Sequence, residues 1–237
     1  MATRAPDMRP AIVARELALV GARGPVYGPV SLEVPRGWLV ALVGQQGTGR
    51  TSLLLTLTGR MRFTSGTLSV LNHKLPHGRR DVQSHCAIAG FDGIDILDEG
   101  LTIGELTTER AALSVPLWRR PLRLDDPEMA RLVTTAFGPE PPAWDTRVYE
   151  ITPLQALQVR VLLALIGHPA ILAVDNVDSI LEPESQREGW RTLQRACATG
   201  LTIVASSAGT TAIPGDVSTL LLPEPGATPR HLVLEES

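Results

Sequence analysis

Lysine is almost missing from this chain. Lys74 is the only lysine among 22 basic side chains, and the rest are arginine. A GC-rich genome produces such a bias. It also excludes lysine-built motifs away from position 74, including the N-K-x-D base-reading segment of GTPases. Cysteine is scarce as well. Cys86 and Cys197 are isolated and far apart, so neither a disulfide framework nor a cysteine-built metal site is implied. A surplus of one charge is lacking: the net charge of −3 over 237 residues gives no sign of a nucleic-acid-binding surface. No apolar run is long enough to span a bilayer. The most apolar stretch, Val159 to Val177, is broken by Gly167-His168-Pro169. Met1 to Glu16 has no apolar run behind basic residues, so no signal peptide is expected and the expected setting is cytoplasmic. Internal repeats and low-complexity segments are absent too.

What the chain does have is a core and a glycine-rich turn. The 43% hydrophobic content supports one large domain, or one domain with an insert. The chain is organised around Gly44-Gln45-Gln46-Gly47-Thr48-Gly49-Arg50-Thr51-Ser52. Trp38 to Val43 before it reads as a buried parallel strand, and the Leu-rich stretch Ser52 to Gly59 after it reads as a helix. A Gly-rich turn between strand and helix is the geometry of a phosphate-binding loop. Glycines let backbone N–H groups point inward, and the helix start adds a partial positive charge. Thr51 is positioned to place its hydroxyl on a magnesium ion. One position departs from G-x-x-x-x-G-K-[ST]: Arg50 stands where the pattern has lysine.

Along the chain, Ile12 to Leu19 reads as a first strand and Gly21 to Pro29 as a turn region. Val30 to Val34 alternates and reads as a strand. Ser65-Gly66-Thr67 reads as a turn before a short strand, Leu68 to Leu71. His73 and His77 fall in a stretch that reads as a polar, solvated loop. Leu101 to Leu113 and Pro127 to Phe137 have helical spacing, with Asp125 and Asp126 placed to cap the second. Proline and arginine accumulate around them, which suggests a helical insert over 91–150. Leu154 to Gly167 reads as a strong helix. The apolar run Ile171 to Val174 then ends in Asp175, a carboxylate placed to hold magnesium downstream of a phosphate loop. Glu184 to Cys197 reads as a helix and Leu201 to Ala205 as a buried strand. Val217 to Leu222 and His231 to Leu234 read as short edge strands.

These residues resemble the ATP-binding subunit of ABC transporters, over nearly the whole chain. Val30-Ser31-Leu32 to Gly37, the phosphate loop and Ser65-Gly66-Thr67 look like that family's opening. Leu101-Thr102-Ile103-Gly104-Glu105-Leu106 looks like the segment after its glutamine loop. The run from the strong helix through His168-Pro169, Asp175 and Ser179-Ile180-Leu181-Glu182-Pro183 is similar, without length change, to the stretch from signature helix to D-loop. The resemblance implies an α/β fold: a P-loop NTPase cassette with a mixed sheet core, an antiparallel β edge and a helical subdomain. It divides the single domain into a core over 1–90 and 151–237 and a helical subdomain over 91–150. The implied cofactors are ATP and Mg2+, with Thr51 and Asp175 at the metal. The implied partners are a membrane-spanning permease and a second ATP-binding subunit, in a homo- or heterodimer. The chain would lie on the cytoplasmic face of the cell membrane.

Several positions depart from the family pattern. Ile151-Thr152-Pro153-Leu154-Gln155 fills the slot of the LSGGQ signature, which caps the γ-phosphate of an ATP held by the other subunit. Thr152 keeps a hydroxyl, Pro153 has no N–H and Leu154 adds a side chain where glycine allows close approach. Asn176 stands at the catalytic glutamate, and the switch histidine falls at Ser206-Ser207, with Ser207 in its place. A carboxylate can take a proton from an attacking water, whereas an amide can only orient it. Losing a general base costs on the order of 10²–10⁴ in rate. The glutamine of the preceding strand falls near Gly90-Phe91 and is absent, and so is the adenine-stacking aromatic expected near Gly21. Tyr27 is nearby but fits an apolar core position better. The D-loop aspartate becomes Glu182. Arg50 keeps the charge but is larger and forked, which predicts weakened rather than abolished phosphate binding.

Three readings follow. The chain is an ATP-binding subunit coupled to a permease, with slow or impaired hydrolysis. Alternatively it is an inactive nucleotide-sensing or structural partner in a heterodimer, or another P-loop enzyme such as a small-molecule kinase. Trp118-Arg119-Arg120 reads either as a solvated basic patch or as a docking point for a permease helix.

Overall fold

The computed structural model describes residues 10–226 and the short strand Arg230–His231. The expected strand His231 to Leu234 lies mostly outside the described residues.

Two five-stranded sheets organise the chain. The first is built from β1 (Pro10–Gly21), β2 (Gly24–Pro35), β4 (Ser65–Val70), β5 (His73–Leu75) and β10 (Arg230–His231), in the order β10-β2-β1-β4-β5. Its pairings are antiparallel except β10 on β2. The second contains β3 (Leu39–Val43), β6 (Cys86–Ala89), β7 (Ile171–Val174), β8 (Thr202–Ser207) and β9 (Ser218–Leu221). Its order is β6-β7-β8-β3-β9 and every pairing is parallel. Among the described residues six α-helices complete the fold: α1 (Arg50–Leu57), α2 (Arg79–His85), α3 (Ile103–Leu113), α4 (Pro127–Phe137), α5 (Pro153–Ile166) and α6 (Pro183–Cys197). The expected α/β cassette with a mixed core and an antiparallel edge is what the chain forms.

β3, β6 and β7 are apolar at every position because both faces of the parallel sheet are covered, and β8 buries Thr202, Ser206 and Ser207 beside its apolar residues. Leu39, Ala41 and Val43 face a core shared with α3 to α6, whereas Val40 and Leu42 face one shared with α1 and the antiparallel sheet. Leu172 and Val174 of β7 divide from Ile171 and Ala173 in the same way. The α3–α4 region is closed at its base, where Ile103 N–H donates to Thr146 O (3.0 Å) and Val148 N–H to Leu101 O (3.0 Å).

Several local expectations are corrected. The turn expected over Gly21 to Pro29 is confined to 22–23, because β2 starts at Gly24 and pairs Pro25 with Val20 and Tyr27 with Leu19. Gly28 is there for close approach, since a Cβ would stand 2.2 Å from Leu17 O. Ser65-Gly66-Thr67 opens β4 instead of forming a turn, with Ser65 opposite Ala18 and Thr67 opposite Arg15 across a register shift. His73 lies in β5 opposite Val70, its Nδ1 is 3.7 Å from Asp81, and its ring stacks on His85. Asp126 stands at the cap of α4, but its carboxylate accepts from Arg123 N–H (2.7 Å) and makes no bond to the helix. Asp125 instead pairs with Arg123 at 2.9 Å.

Cys86 is buried and Cys197 is half-buried. Burial pushes the Cys86 thiol up to about 12 and Cys197 up to about 11, and Cys197 Sγ donates to Gly37 O at 3.2 Å. A thiolate is the reactive form, so a raised pKa suppresses reaction. The native chain should react with neither equivalent of Ellman's reagent at pH 8, and with both once unfolded in guanidinium. Fast labelling of the native chain would contradict this burial.

Candidate functional site

The Gly-rich segment leaves β3 at Val43 and enters α1 at Arg50. Gly44 N–H donates to Ser207 O (3.2 Å), which pins the loop to the end of β8. Thr48 folds the loop on itself: its N–H (3.2 Å) and its hydroxyl (2.8 Å) both donate to Gln45 O. Gly49 has φ 83° and presses on β2, where a Cβ would lie 2.2 Å from Val26 O. Among the described residues, the N–H groups of Gln46, Gly47, Gly49, Arg50 and Thr51 donate to no protein group. The first turn of α1 carries no acidic residue. Free donors therefore converge at the positive end of a helix, which suits an anion.

Thr51 and Asp175 meet in this site although 124 positions separate them. The Thr51 hydroxyl donates to Asp175 Oδ2 at 2.5 Å. Asp175 is 2% exposed and lies one residue past β7, with its N–H donating to Ala89 O (2.9 Å). Its Oδ1 accepts from the Ser206 hydroxyl, and Ser206 Oγ in turn accepts from Asn176 N–H at 2.9 Å. A hydroxyl and a carboxylate side by side are hard oxygen donors of the kind Mg2+ prefers. The motif reading meets Ser206 only as a neighbour of the switch-histidine position and does not foresee this bridge. The signal for it is the strand register: Val174 pairs with Ala205, so the next residues, Asp175 and Ser206, face each other.

Asn176 follows in the left-handed region (φ 55°). Arg50, only 9% exposed, does not stand free in the loop: its Nη1 lies 3.4 Å from Asp178 Oδ1. Asp178 also lacks a role in the motif reading. Ser207 is buried and donates its hydroxyl to Gly209 O (2.8 Å).

Ile151 to Gln155 lies at the head of α5 and makes no hydrogen bond to the Gly-rich loop among the described residues. Thr152 caps the helix. Its oxygen accepts from Gln155 N–H (3.2 Å), and Gln155 Oε1 accepts from Thr152 N–H (2.9 Å). Pro153 takes the first helical position, where a missing N–H costs nothing. Glu182 caps α6 through Ser185 N–H (2.5 Å) and Glu184 N–H (3.1 Å). Hydrogen bonds, led by Ser185, hold its carboxyl below the usual range.

Gly90 leaves no room for a side chain, since a Cβ would sit 2.5 Å from Asp175 O. Its N–H donates to Asp95 Oδ2 at 2.6 Å. Burial raises the Asp95 pKa, and the Gly90 N–H and Arg160 partly offset that. Tyr27 is fully buried, and its hydroxyl donates to Thr56 Oγ1 (2.9 Å). That removes it from the surface where a base could stack.

A family model described as ABC transporter matches residues 27–178. The energy-coupling factor transporter ATP-binding protein EcfA2 of Symbiobacterium thermophilum is 26% identical over 181 residues, 75% of this chain and 61% of that protein. The phosphonates import ATP-binding protein PhnC of Hyphomonas neptunium is 26% identical over 170 residues, 70% of this chain and 64% of that one. The matches thus span less than two thirds of these relatives' length. A solved structure of cbiO1 from Clostridium perfringens, part of the ABC transporter complex cbiONQ, superposes with a TM-score of 0.75 at 18% identity, covering 95% of this chain and 87% of that one. A nucleotide-free ATP-binding cassette from an ABC transporter gives 0.72 at 15% identity, covering 90% and 88%. These likenesses establish the cassette fold.

Replacing Ser206 by alanine strands a buried carboxylate oxygen and a backbone N–H together. Ser206→Ala should lower the unfolding free energy by about 1–3 kcal/mol in urea titration, and more than Ser207→Ala, which removes one hydroxyl bond. Equal small losses would refute the bridging role.

Proposed function

The chain belongs to the ABC transporter family, and from that we propose that it is an ATP-binding subunit of a membrane transport complex, with slow or impaired hydrolysis. The observation that carries the reading is a single juxtaposition. The unpaired N–H groups of Gln46, Gly47, Gly49, Arg50 and Thr51 lie on the loop beside the contact between Thr51 and Asp175. Gly44, Gln45, Gln46, Gly47, Thr48, Gly49, Arg50, Thr51 and Ser52 would cradle the phosphates, and Thr51 and Asp175 would hold Mg2+. The bound metal would neutralise phosphate charge. The remaining work falls to this chain's own groups: backbone N–H donors bind and orient the anion, and Arg50 supplies the fixed cation.

What limits turnover is the absence of a base. Asn176 can orient a water through its amide but cannot take its proton. Its backbone N–H is already tied to Ser206, and Ser207 is turned onto Gly209. The signature-slot hydroxyl of Thr152 is engaged in capping its own helix. Pairing with an intact subunit as a nucleotide-sensing or structural partner is the second reading, and the same positions favour it. With the family shown, a P-loop kinase or GTPase falls away.

The subdomain of 91–150 would meet the permease. Support comes from a turn closed by Arg119 N–H on Pro116 O (2.8 Å), which leaves Leu117 fully exposed and Trp118 85% exposed beside Arg119 and Arg120. No helix among the described residues is long and apolar enough to cross a membrane. Attachment to the cytoplasmic face of the cell membrane would therefore run through the permease.

Titration calorimetry should register MgATP binding to the wild-type chain and a weaker, less magnesium-dependent interaction with Thr51→Ala. Steady-state ATPase should be slow and should rise in Asn176→Glu. Robust wild-type turnover that Asp175→Ala abolishes would sink the impaired-hydrolysis reading. Alanine at Trp118, Arg119 and Arg120 should reduce co-purification with a co-expressed permease, and unchanged recovery would remove that surface from the proposal.

A further inference from the structure

Asp178 sits in the candidate site with no part in the motif reading, yet it holds the cation of the phosphate loop. We infer that Asp178 is an intramolecular stand-in for phosphate. It occupies Arg50 while the cradle is empty, and a polyphosphate that enters takes Arg50 over and frees the turn that carries Asp178. The inference rests on the nucleotide-binding reading above and concerns how that same site is regulated.

The geometry supports it from three sides. Arg50 Nη1 and Asp178 Oδ1 are 3.4 Å apart, and Asp178 is the only carboxylate within ion-pair distance of Arg50 among the described residues. The other acid of the site, Asp175, is engaged by Thr51 and Ser206. One guanidinium thus serves a site that holds two carboxylates, and an entering anion must compete with Asp178 for it. The second side is the chemistry of arginine. Its fork carries five N–H donors, of which only Nη1 contacts Asp178, so phosphate oxygens can engage the others before the acid lets go. The third is the backbone. Asp178 lies in a single 3-10 turn, Val177–Ser179, entered through left-handed Asn176 and closed by Ser179 N–H on Asn176 O (2.9 Å). Three residues on, Glu182 caps α6. Occupancy of the cradle and loosening of this short turn then become one event, read out at the head of α6.

The test is titration of the full chain with MgATP, and with magnesium tripolyphosphate as a base-free probe. The proteins are wild type, Asp178→Asn, Arg50→Met and the double variant. Asp178→Asn should bind both probes about tenfold more tightly, roughly 1.4 kcal/mol. In the Arg50→Met background the gain should shrink below about twofold, the signature of coupled residues. An undiminished gain there means that Asp178 only repels the anion, and no gain from Asp178→Asn in the chain that keeps Arg50 means that it does not compete. Either result overturns the inference while leaving nucleotide binding intact. If wild type and Asp178→Asn both bind neither probe, the nucleotide reading itself fails and takes this one with it. Should Arg50→Met be too unstable to use, hydrogen exchange on the wild type decides. Amides of 177–181 should exchange faster with saturating MgATP, and unchanged or slower exchange overturns the inference.

Discussion

A chain of hydrogen bonds across three neighbouring elements holds the candidate site together. Thr51 at the start of α1 donates to Asp175 past β7, Asp175 accepts from Ser206 in β8, and Ser206 accepts from Asn176. Asp175 and Ser206 are almost wholly buried, so each bond replaces water that cannot reach them. In such surroundings a satisfied network fixes one arrangement, and a half-satisfied one is costly. The tips of β7 and β8 and the first turn of α1 are thereby set in register. Everything assigned to the site, from the free N–H cradle to Arg50, takes its place relative to that junction.

The positions expected to depart from the family pattern have partners within the chain. Ser207 bonds Gly209 O, Thr152 and Gln155 form a reciprocal cap on α5, Glu182 caps α6, and Arg50 pairs with Asp178. Each side chain serves the local fold of the element that carries it. A hydroxyl or carboxylate already engaged within its own chain has fewer bonds to offer a ligand or a second subunit. This gives a physical sense to a cassette that keeps its shape while its proposed turnover is slow.

Much of the fold was legible because β3 and β7 are short, apolar at every position and bounded by turns. The Gly-rich loop could be read because glycine spacing reports backbone geometry directly. Thr51 and Asp175 could be picked out because their neighbours set them at the ends of a helix and a strand. Ser206 and Asp178 were hidden for a different reason. Their roles depend on which strand lies beside which and on a side-chain pairing 128 positions apart, and neither leaves a periodic trace. At the start of β2, Gly24, Gly28 and Pro29 carry the signals of a turn, whereas Gly28 marks a close approach inside a bulged ladder. Asp126 has the residue type of a helix cap, although Arg123 N–H claims its carboxylate.

The close seating of β6 against the end of β7 limits which side chains this edge can accept. At position 90 any side chain would collide with the Asp175 carbonyl, and at position 91 the phenylalanine fills the apolar space between the sheets. A polar amide would therefore be unwelcome at either residue: at one for want of space, at the other for want of a partner. A glutamine at position 90 would first require rerouting the backbone there. The tip of this edge strand thus admits neither bulk at one residue nor polarity at the next.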